Sequence, residues 1–214
     1  MAKGHLPDWF RKMPDRAFCA DVDSEIRTVK HCPPFIAALA TGFIVPLATD
    51  LHVDDQRFEW HWDVEALPDV PHPNAPIMFH LNEQLTGAPF RPNDQAALKF
   101  TNFWTIETEP GFSLLVTHPF NREDLPFRTL TGVVDTDHFV DGCIQFPALW
   151  TDESFSGVLS RGTPVAQCIV FRRDPLDLEF DLIEGEGAER YREVVDALGS
   201  QTGVYRKRFR AAKN

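Results

Sequence analysis

The fold class is decided by the stretch WTIETEPGFSLLVT, residues 104–117. Both ends of this stretch are rich in β-branched and aromatic residues, which favour strands. Between the two ends lie Pro110 and Gly111, which are typical of a tight turn. The stretch therefore predicts a β-hairpin with strands at 104–108 and 112–117.

The same signals recur on both sides of this hairpin. Runs of strand-forming residues bounded by Gly, Pro, Asn or Asp predict strands at 26–29, 43–47, 58–63, 76–81, 130–134, 139–146, 157–159 and 165–171. Four prolines within residues 68–76 predict a loop. Many short strands with turns between them are typical of a barrel or a sandwich, so a mainly β domain is expected.

Helical signals occur in two segments. Residues 33–42 begin with two prolines and end with glycine, which predicts one short helix. Near the C-terminus, Tyr191, Val194, Val195 and Leu198 lie on one face at helical spacing. The expected organisation is an N-terminal arm over 1–24, a β-barrel domain over 25–183, and a helix with a basic tail over 184–214.

Charge and composition restrict the function. The chain has 21 Lys and Arg against 32 Asp and Glu, a formal net charge of -11, which disfavours binding to nucleic acid or to an anionic membrane. The start of the chain lacks an apolar signal region, so a cytoplasmic protein is expected. The four cysteines have no metal-ligand spacing and are interpreted as small buried hydrophobes. A basic cluster stands out near the end: Arg206, Lys207, Arg208, Arg210 and Lys213.

Three motifs occur in order in the second half of the chain. They are WTIETEPGF at 104–112 leading to THPFNR at 117–122, TGVVDTDHF at 131–139, and RGTPVAQCIVF at 161–171. Together they resemble the trimeric dUTPase/dCTP deaminase (β-clip) superfamily over about residues 97–173. The chain as a whole also resembles a family of domains of unknown function, which implies no chemistry.

The β-clip resemblance implies a distorted β-barrel that forms a homotrimer with clefts between subunits. It implies a nucleotide or other phosphorylated small molecule as ligand, with hydrolysis assisted by Mg²⁺. Asp135 matches the carboxylate that holds the attacking water, and Gln167 matches the residue that contacts phosphate. The tyrosine that packs on the sugar in that family corresponds to His138 or Phe139. The family's C-terminal arm crosses to a neighbouring subunit.

The residues themselves leave alternatives open. Asp137 beside Asp135 would raise the pKa of one carboxyl and favour a general base, whereas in a tight hairpin both would accept local backbone N–H bonds. His118, Asn121 and Arg122 follow a strand and would clamp an anion, or Arg122 would pair with a surface carboxylate. Residues 119–122 read Pro-Phe-Asn-Arg where the family has Pro-Arg-Ser-Gly, and the glycine-rich lid is absent.

These departures favour a second hypothesis, a non-catalytic β-clip module used for assembly or partner binding. A third hypothesis is a metal-dependent barrel enzyme that holds iron or another transition metal. Its ligands would come from His80, His118, His138 and Asp135. The aromatic residues Phe58, Trp60, Trp62, Phe103 and Trp104 are interpreted as core residues or as the lining of a pocket for a flat ligand.

Overall fold

The computed structural model describes residues 1–63, 73–89 and 96–211. These residues are mainly β, with several antiparallel sheets and few helices, which confirms the predicted class. The strands are β1 (Arg16–Cys19), β2 (Ser24–Arg27), β3 (Phe43–Pro46), β4 (Leu51–Asp54), β5 (Arg57–Trp60), β6 (Ile77–Phe79), β7 (Ala97–Phe100), β8 (Phe112–Thr117), β9 (Phe127–Thr129), β10 (Gly132–Val134), β11 (Phe146–Trp150), β12 (Gly157–Leu159) and β13 (Pro164–Arg172).

The α-helices are α1 (Asp8–Lys12), α2 (Pro33–Ala40) and α3 (Glu186–Ser200). Helices α2 and α3 confirm the two helical predictions, whereas α1 and β1 occupy an arm for which no element was predicted. Short 3-10 turns lie at Ala2–His5, Ala20–Val22, Val29–His31 and Asn82–Leu85, and Tyr205–Phe209 form a turn of π-helix. None of the helices in the described part of the chain has the length and apolarity to span a bilayer.

The chain divides into two compact units. The first comprises residues 1–13 and 37–173, and the second comprises 14–36 and 174–214. The predicted boundaries at 24 and 183 stay predictions. The second unit contains the antiparallel β1-β2 pair and helix α3.

The first unit contains three antiparallel sheets. Two have four strands, in the orders β10-β8-β13-β3 and β6-β7-β11-β9, and the third has the order β12-β4-β5. Each of these sheets ends in an unpaired edge strand within the described ranges, so the described residues form no closed barrel. The predicted loop at 68–76 lies largely outside the described residues.

The core of the first unit is filled from all three sheets. Its largest fully buried side chains include Leu51, Leu98, Phe100, Leu114, Phe127, Phe146 and Trp150. Successive side chains of a strand point to opposite faces, so β7 contributes Leu98 and Phe100, two positions apart. Phe58 and Trp60 pack against this core. Cys168 is buried within it, and burial raises the pKa of its thiol to about 12, so it stays protonated.

Two predicted strands are wrong, for local reasons. Residues 104–108 make only an isolated bridge, between Thr105 and Cys143. The Asn102 side chain bonds both the N–H and the C=O of Trp104, so these groups cannot join a ladder. In the predicted strand 139–146, the chain turns first, because the N–H groups of His138 and Phe139 both donate to the carbonyl of Asp135.

Candidate functional site

The hairpin after β10 carries the predicted acidic pair. Strand β10 pairs with β8 up to Val134 opposite Leu114, so residue 135 comes beside Ser113. The Ser113 hydroxyl donates to Oδ1 of Asp135 at 2.6 Å, and Arg173 approaches the same oxygen at 3.3 Å. The Asp135 side chain is 57% exposed. It is therefore held at one oxygen and open to solvent at the surface of the sheet.

Asp137 has a different environment, because its side chain is only 4% exposed. Its Oδ1 accepts from Nη1 of Arg173 at 2.8 Å, and its Oδ2 accepts from Nη2 of Arg173 and from the N–H of Gly111. The Arg173 hydrogen bonds, together with the Gly111 N–H, hold the pKa of Asp137 well below its usual range. Asp137 is thus an ionised carboxylate whose two oxygens tie β13 to the turn at Gly111.

Arg173 is a residue that the sequence motifs missed. It follows the end of β13, and its backbone N–H donates to the carbonyl of Gly111 at 2.8 Å. No sequence signal indicates it, because it reaches Asp137 only through the strand register, in which β13 pairs with β8 up to Arg172 opposite Phe112. His138 lies nearby, with Nε2 3.9 Å from Oδ2 of Asp137, and Phe139 is exposed next to it.

The Asp137–Arg173 pair should make stability depend on pH. A carboxyl whose folded pKa is lowered stabilises the fold above its unfolded pKa, about 3.9, and this contribution is lost as the pH falls toward the folded value. We expect Asp137→Asn to be less stable at neutral pH and to lose less stability than the wild type below about pH 5. Urea unfolding midpoints measured against pH test this expectation.

Phe139→Leu, an uncharged change in the same hairpin, is the control. Its unfolding midpoint should vary with pH as that of the wild type does. If the unfolding midpoints of the wild type and of Asp137→Asn varied identically with pH, the stabilising role of the Asp137–Arg173 ion pair would be contradicted.

The loop after β8 holds His118, Asn121 and Arg122 in separate roles. Nδ1 of His118 accepts from the N–H of Thr129 at 3.2 Å, so Nε2 carries the proton and donates to the carbonyl of Arg122 at 3.0 Å. Burial lowers the pKa of His118, which keeps the ring neutral. Arg122 forms a bidentate pair with Asp124 at 2.8 and 2.9 Å. Asn121 is exposed in a left-handed turn with φ of 58°.

Gln167 is engaged by its own chain. It is 1% exposed, and its Nε2 donates to the carbonyls of Ala38 at 2.9 Å and Thr41 at 2.7 Å. Its Oε1 accepts from the N–H of Phe120 at 2.9 Å. These three bonds pair two carbonyls at the end of helix α2 and one N–H in the loop after β8. They use both hydrogens of the Gln167 amide.

Within one chain, the side chains of Gln167 and Asp135 lie too far apart to share a ligand. Asp135 lies beside Ser113, which pairs with Phe171, four residues along β13 from Gln167. At a rise of roughly 3.3 Å per residue, this offset is roughly 13 Å. A single chain therefore does not place these two side chains on one ligand.

The predicted metal ligands also do not converge. His80 follows β6 and bonds Gln84, His118 lies after β8, and His138 lies in the β10 hairpin. No group of three His, Cys, Asp or Glu side chains in the described ranges is arranged to hold a metal ion. The ligand set His80, His118, His138 and Asp135 is thus spread over separate parts of the first unit.

The aromatic residues divide between core and surface. Trp62 stacks on Phe103 with ring centroids 5.3 Å apart, whereas Trp104 is 73% exposed. Phe103 and Trp104 line a cavity of about 320 Å³ together with Arg161. The guanidinium of Arg161 has no ion-pair partner among the described residues. The exposed indole of Trp104 and the guanidinium of Arg161 therefore both line this cavity.

A different kind of surface occurs in the second unit. Residues 175–183, the acidic-apolar segment, contain no helix or strand. Five of their side chains are large, apolar and 64–94% exposed: Leu176, Leu178, Phe180, Leu182 and Ile183. Acidic residues at 177, 179 and 181 alternate with the first four of these. Neighbouring residues of an extended chain point to opposite faces, so residues 176–182 would have one apolar and one acidic face when extended, and Ile183 lies beyond the alternation.

Helix α3 and the turn that follows it in the sequence carry apolar and basic surfaces that complement the acidic-apolar segment. Helix α3 leaves Tyr191, Val195 and Leu198 exposed along one face. After it, residues 205–210, the basic turn, carry exposed arginine and lysine side chains at 206, 207 and 208. The motifs at 104–122, 131–139 and 161–171 do not reach residues 175–183. The signal that could have found this segment is the alternation of apolar and acidic residues over 176–182.

Comparisons of the chain with protein-family models, with curated proteins and with solved structures find no match.

Proposed function

We propose that this chain is a subunit of a homo-oligomer, in which the acidic-apolar segment of one copy binds helix α3 and the basic turn of another. The C-terminal unit then acts as an assembly element. The observation that carries this proposal is the exposure of five large apolar side chains within nine residues. Contiguous exposed apolar surface of this kind marks interaction sites in soluble proteins.

The chemistry of the chain favours a second copy as the partner. The apolar face of the segment matches the exposed stripe of α3, and its acidic face matches the basic turn at 205–210. One chain thus carries both halves of the contact, and head-to-tail contacts of this type form rings when the rotation between copies closes and filaments when it does not. The β-clip resemblance implies a trimer whose C-terminal arm crosses between subunits, which agrees with this arrangement.

The internal contacts of the predicted site residues support an assembly module over a phosphate-binding enzyme. The carboxylate of Asp137, the amide of Gln167, and Nε and Nη2 of Arg122 are engaged by neighbouring groups of the same chain. Releasing any of them to a ligand would leave a buried or paired group without its partner, at a cost in free energy.

We expect the wild-type chain to self-associate and Leu178→Asp combined with Phe180→Asp to prevent it. Each substitution removes the burial of one large apolar side chain, about 1.5 to 3 kcal/mol, so the pair should weaken association by about 10²- to 10⁴-fold. Sedimentation velocity over a wide concentration range measures this. Both side chains are exposed in the single chain, so its fold should be unaffected.

Two controls sharpen the experiment. Leu178→Met with Phe180→Met keeps the apolar face and should associate like the wild type. Val22→Asp places one aspartate at an exposed apolar position outside the segment and should also leave association unchanged. A wild-type chain that stays monomeric at every concentration, or a double aspartate variant that associates normally, would overturn the proposal.

Binding of a flat anionic molecule, such as a nucleotide, is a second candidate function. It is favoured by the cavity at Phe103, Trp104 and Arg161, where a ring would stack on the indole and a phosphate would meet the guanidinium. Titration with dUTP and Mg²⁺ should quench tryptophan fluorescence in the wild type, and Arg161→Ala should weaken binding. An unchanged spectrum and an unchanged melting temperature at saturating nucleotide would remove this candidate.

A further inference from the structure

The cavity beside Trp104 combines one cationic side chain with apolar and aromatic walls. Its described lining residues include Pro46, Leu47, Phe103 and Trp104, and Arg161 is the only one of them with an ionisable side chain. The cavity therefore offers a bound molecule one positive charge, next to aromatic and aliphatic surface.

The backbone that carries the exposed Trp104 indole is fixed by a buried side chain. Asn102 is 3% exposed, and its amide accepts from the N–H of Trp104 at 3.2 Å and donates to its carbonyl at 2.7 Å. The neighbouring ring of Phe103 is held by its stack on Trp62, with ring centroids 5.3 Å apart. A flat ligand ring would thus meet aromatic residues whose positions are set before binding, which lowers the entropy that binding costs.

Arg161 is presented by a tight turn that is anchored at the end of β3. The N–H of Thr163 closes this turn, with Arg161 and Gly162 at its corners. Leu47 anchors the turn, because its N–H donates to the carbonyl of Thr163 and its carbonyl accepts from Gly162. Asp50 accepts from the backbone N–H of Arg161 at 2.6 Å, and within the described part of the chain no carboxylate pairs with the guanidinium. The charge of Arg161 is therefore free to meet an anion.

We propose that this cavity binds a nucleoside monophosphate in preference to a triphosphate, with the base on the Trp104 indole and the phosphate on Arg161. This inference rests on the second candidate function, the binding of a flat anionic molecule, and narrows it to one ligand class. A guanidinium and a phosphate form a bidentate, charge-assisted pair, so one phosphate matches the charge of the cavity. Each further phosphate adds negative charge that no described lining residue neutralises, on a chain whose net charge is already -11.

The size of the cavity agrees with the smaller ligand. Its volume, about 320 Å³, lies at the lower end of the range of about 300 to 1,000 Å³ that is typical of small-molecule sites. A base with a sugar phosphate suits a cavity of this size. The outer phosphates of a triphosphate would lie beyond its single cation.

The test compares adenosine, AMP and ATP on the full chain without divalent cations, because Mg²⁺ would neutralise part of the triphosphate charge. We expect AMP to bind about threefold or more tightly than ATP, because the outer phosphates of ATP are repelled. AMP should bind about tenfold more tightly than adenosine, because only AMP pairs with Arg161. Ligand-observed NMR titration measures all three affinities. Added salt should reduce both differences, since it screens attraction and repulsion alike.

Variants assign the phosphate and the base to separate side chains. Arg161→Leu should lower the affinity for AMP to that for adenosine and leave adenosine binding unchanged. Arg57→Leu, which removes an exposed arginine outside this cavity, is the control and should keep the wild-type order. Trp104→Leu should weaken all three ligands by about fivefold or more, because each of them stacks its base on the indole.

The outcomes separate this inference from the candidate function beneath it. If ATP binds as tightly as AMP or more tightly, the preference for a monophosphate is wrong, while the binding of a flat anion still stands. If Arg161→Leu binds AMP as tightly as the wild type does, the phosphate does not meet this guanidinium and the inference is overturned. If none of the three ligands binds the wild type, the inference and the second candidate function both fall.

Discussion

Gly42→Ala should lower the free energy of unfolding by about 2 to 5 kcal/mol, one of the two largest single effects expected for this chain. Gly42 lies between α2 and β3 with φ of +69°, a conformation that costs alanine about 1 to 2 kcal/mol. In addition, a Cβ atom at this position would overlap the backbone carbonyl of Cys168. Backbone cannot move aside as a flexible side chain can, so the turn itself must shift.

Gly111→Ala separates the cost of the positive φ from the cost of the overlap with the Cys168 carbonyl. Gly111 also has a positive φ, +88°, but no heavy atom lies within 4 Å of the added Cβ. It should therefore lose only the backbone contribution, about 1 to 2 kcal/mol. Urea unfolding of both variants measures the difference. Equal losses would show that the close approach of Gly42 to β13 is not present in the folded protein.

Gln167→Leu should cost about 3 to 5 kcal/mol, because it removes three hydrogen bonds of a buried amide. The carbonyl of Thr41 and the N–H of Phe120 lose their partner, and the carbonyl of Ala38 keeps only the N–H of Thr41. Gln167→Glu should be at least as damaging at neutral pH, since a carboxylate cannot donate to two carbonyls and its charge would be buried. Partial recovery is expected at low pH, where the carboxyl is protonated.

The matched control is Gln145→Leu, because Gln145 is exposed and makes only one weak contact, with the sulfur of Met78. Its stability should stay close to that of the wild type. If Gln167→Leu were equally mild, the buried amide would not hold α2 against β13, and a ligand-binding role for Gln167 would regain support.

Elements with strong local signals could be predicted from the sequence. Strand β8 matches its predicted range, and β13 and helices α2 and α3 lie close to theirs, because turn residues and side-chain periodicity are encoded locally. The stretch 104–108 was mispredicted because the Asn102 side chain binds the backbone of Trp104, which no periodicity reveals.

The site was harder to predict, because it depends on pairing between distant segments. Nothing in the motif around Asp137 indicates Arg173, which meets it only through the register of β13 on β8. Likewise, the sequence cannot show that Gln167 meets the end of α2, more than a hundred residues earlier. The motif resemblance assigned Gln167 to a ligand, whereas the geometry gives its amide three partners within the chain.

The acidic-apolar segment offers the most direct test of the proposed assembly. Hydrogen–deuterium exchange of the amides at 176–183 should be fast in dilute protein and become markedly slower as the concentration rises, because docking on a second copy protects these amides. The double aspartate variant at 178 and 180 should exchange quickly at all concentrations. Fast exchange of the wild-type segment at concentrations where the chain is fully associated would contradict the proposal, because the copies would then be joined elsewhere.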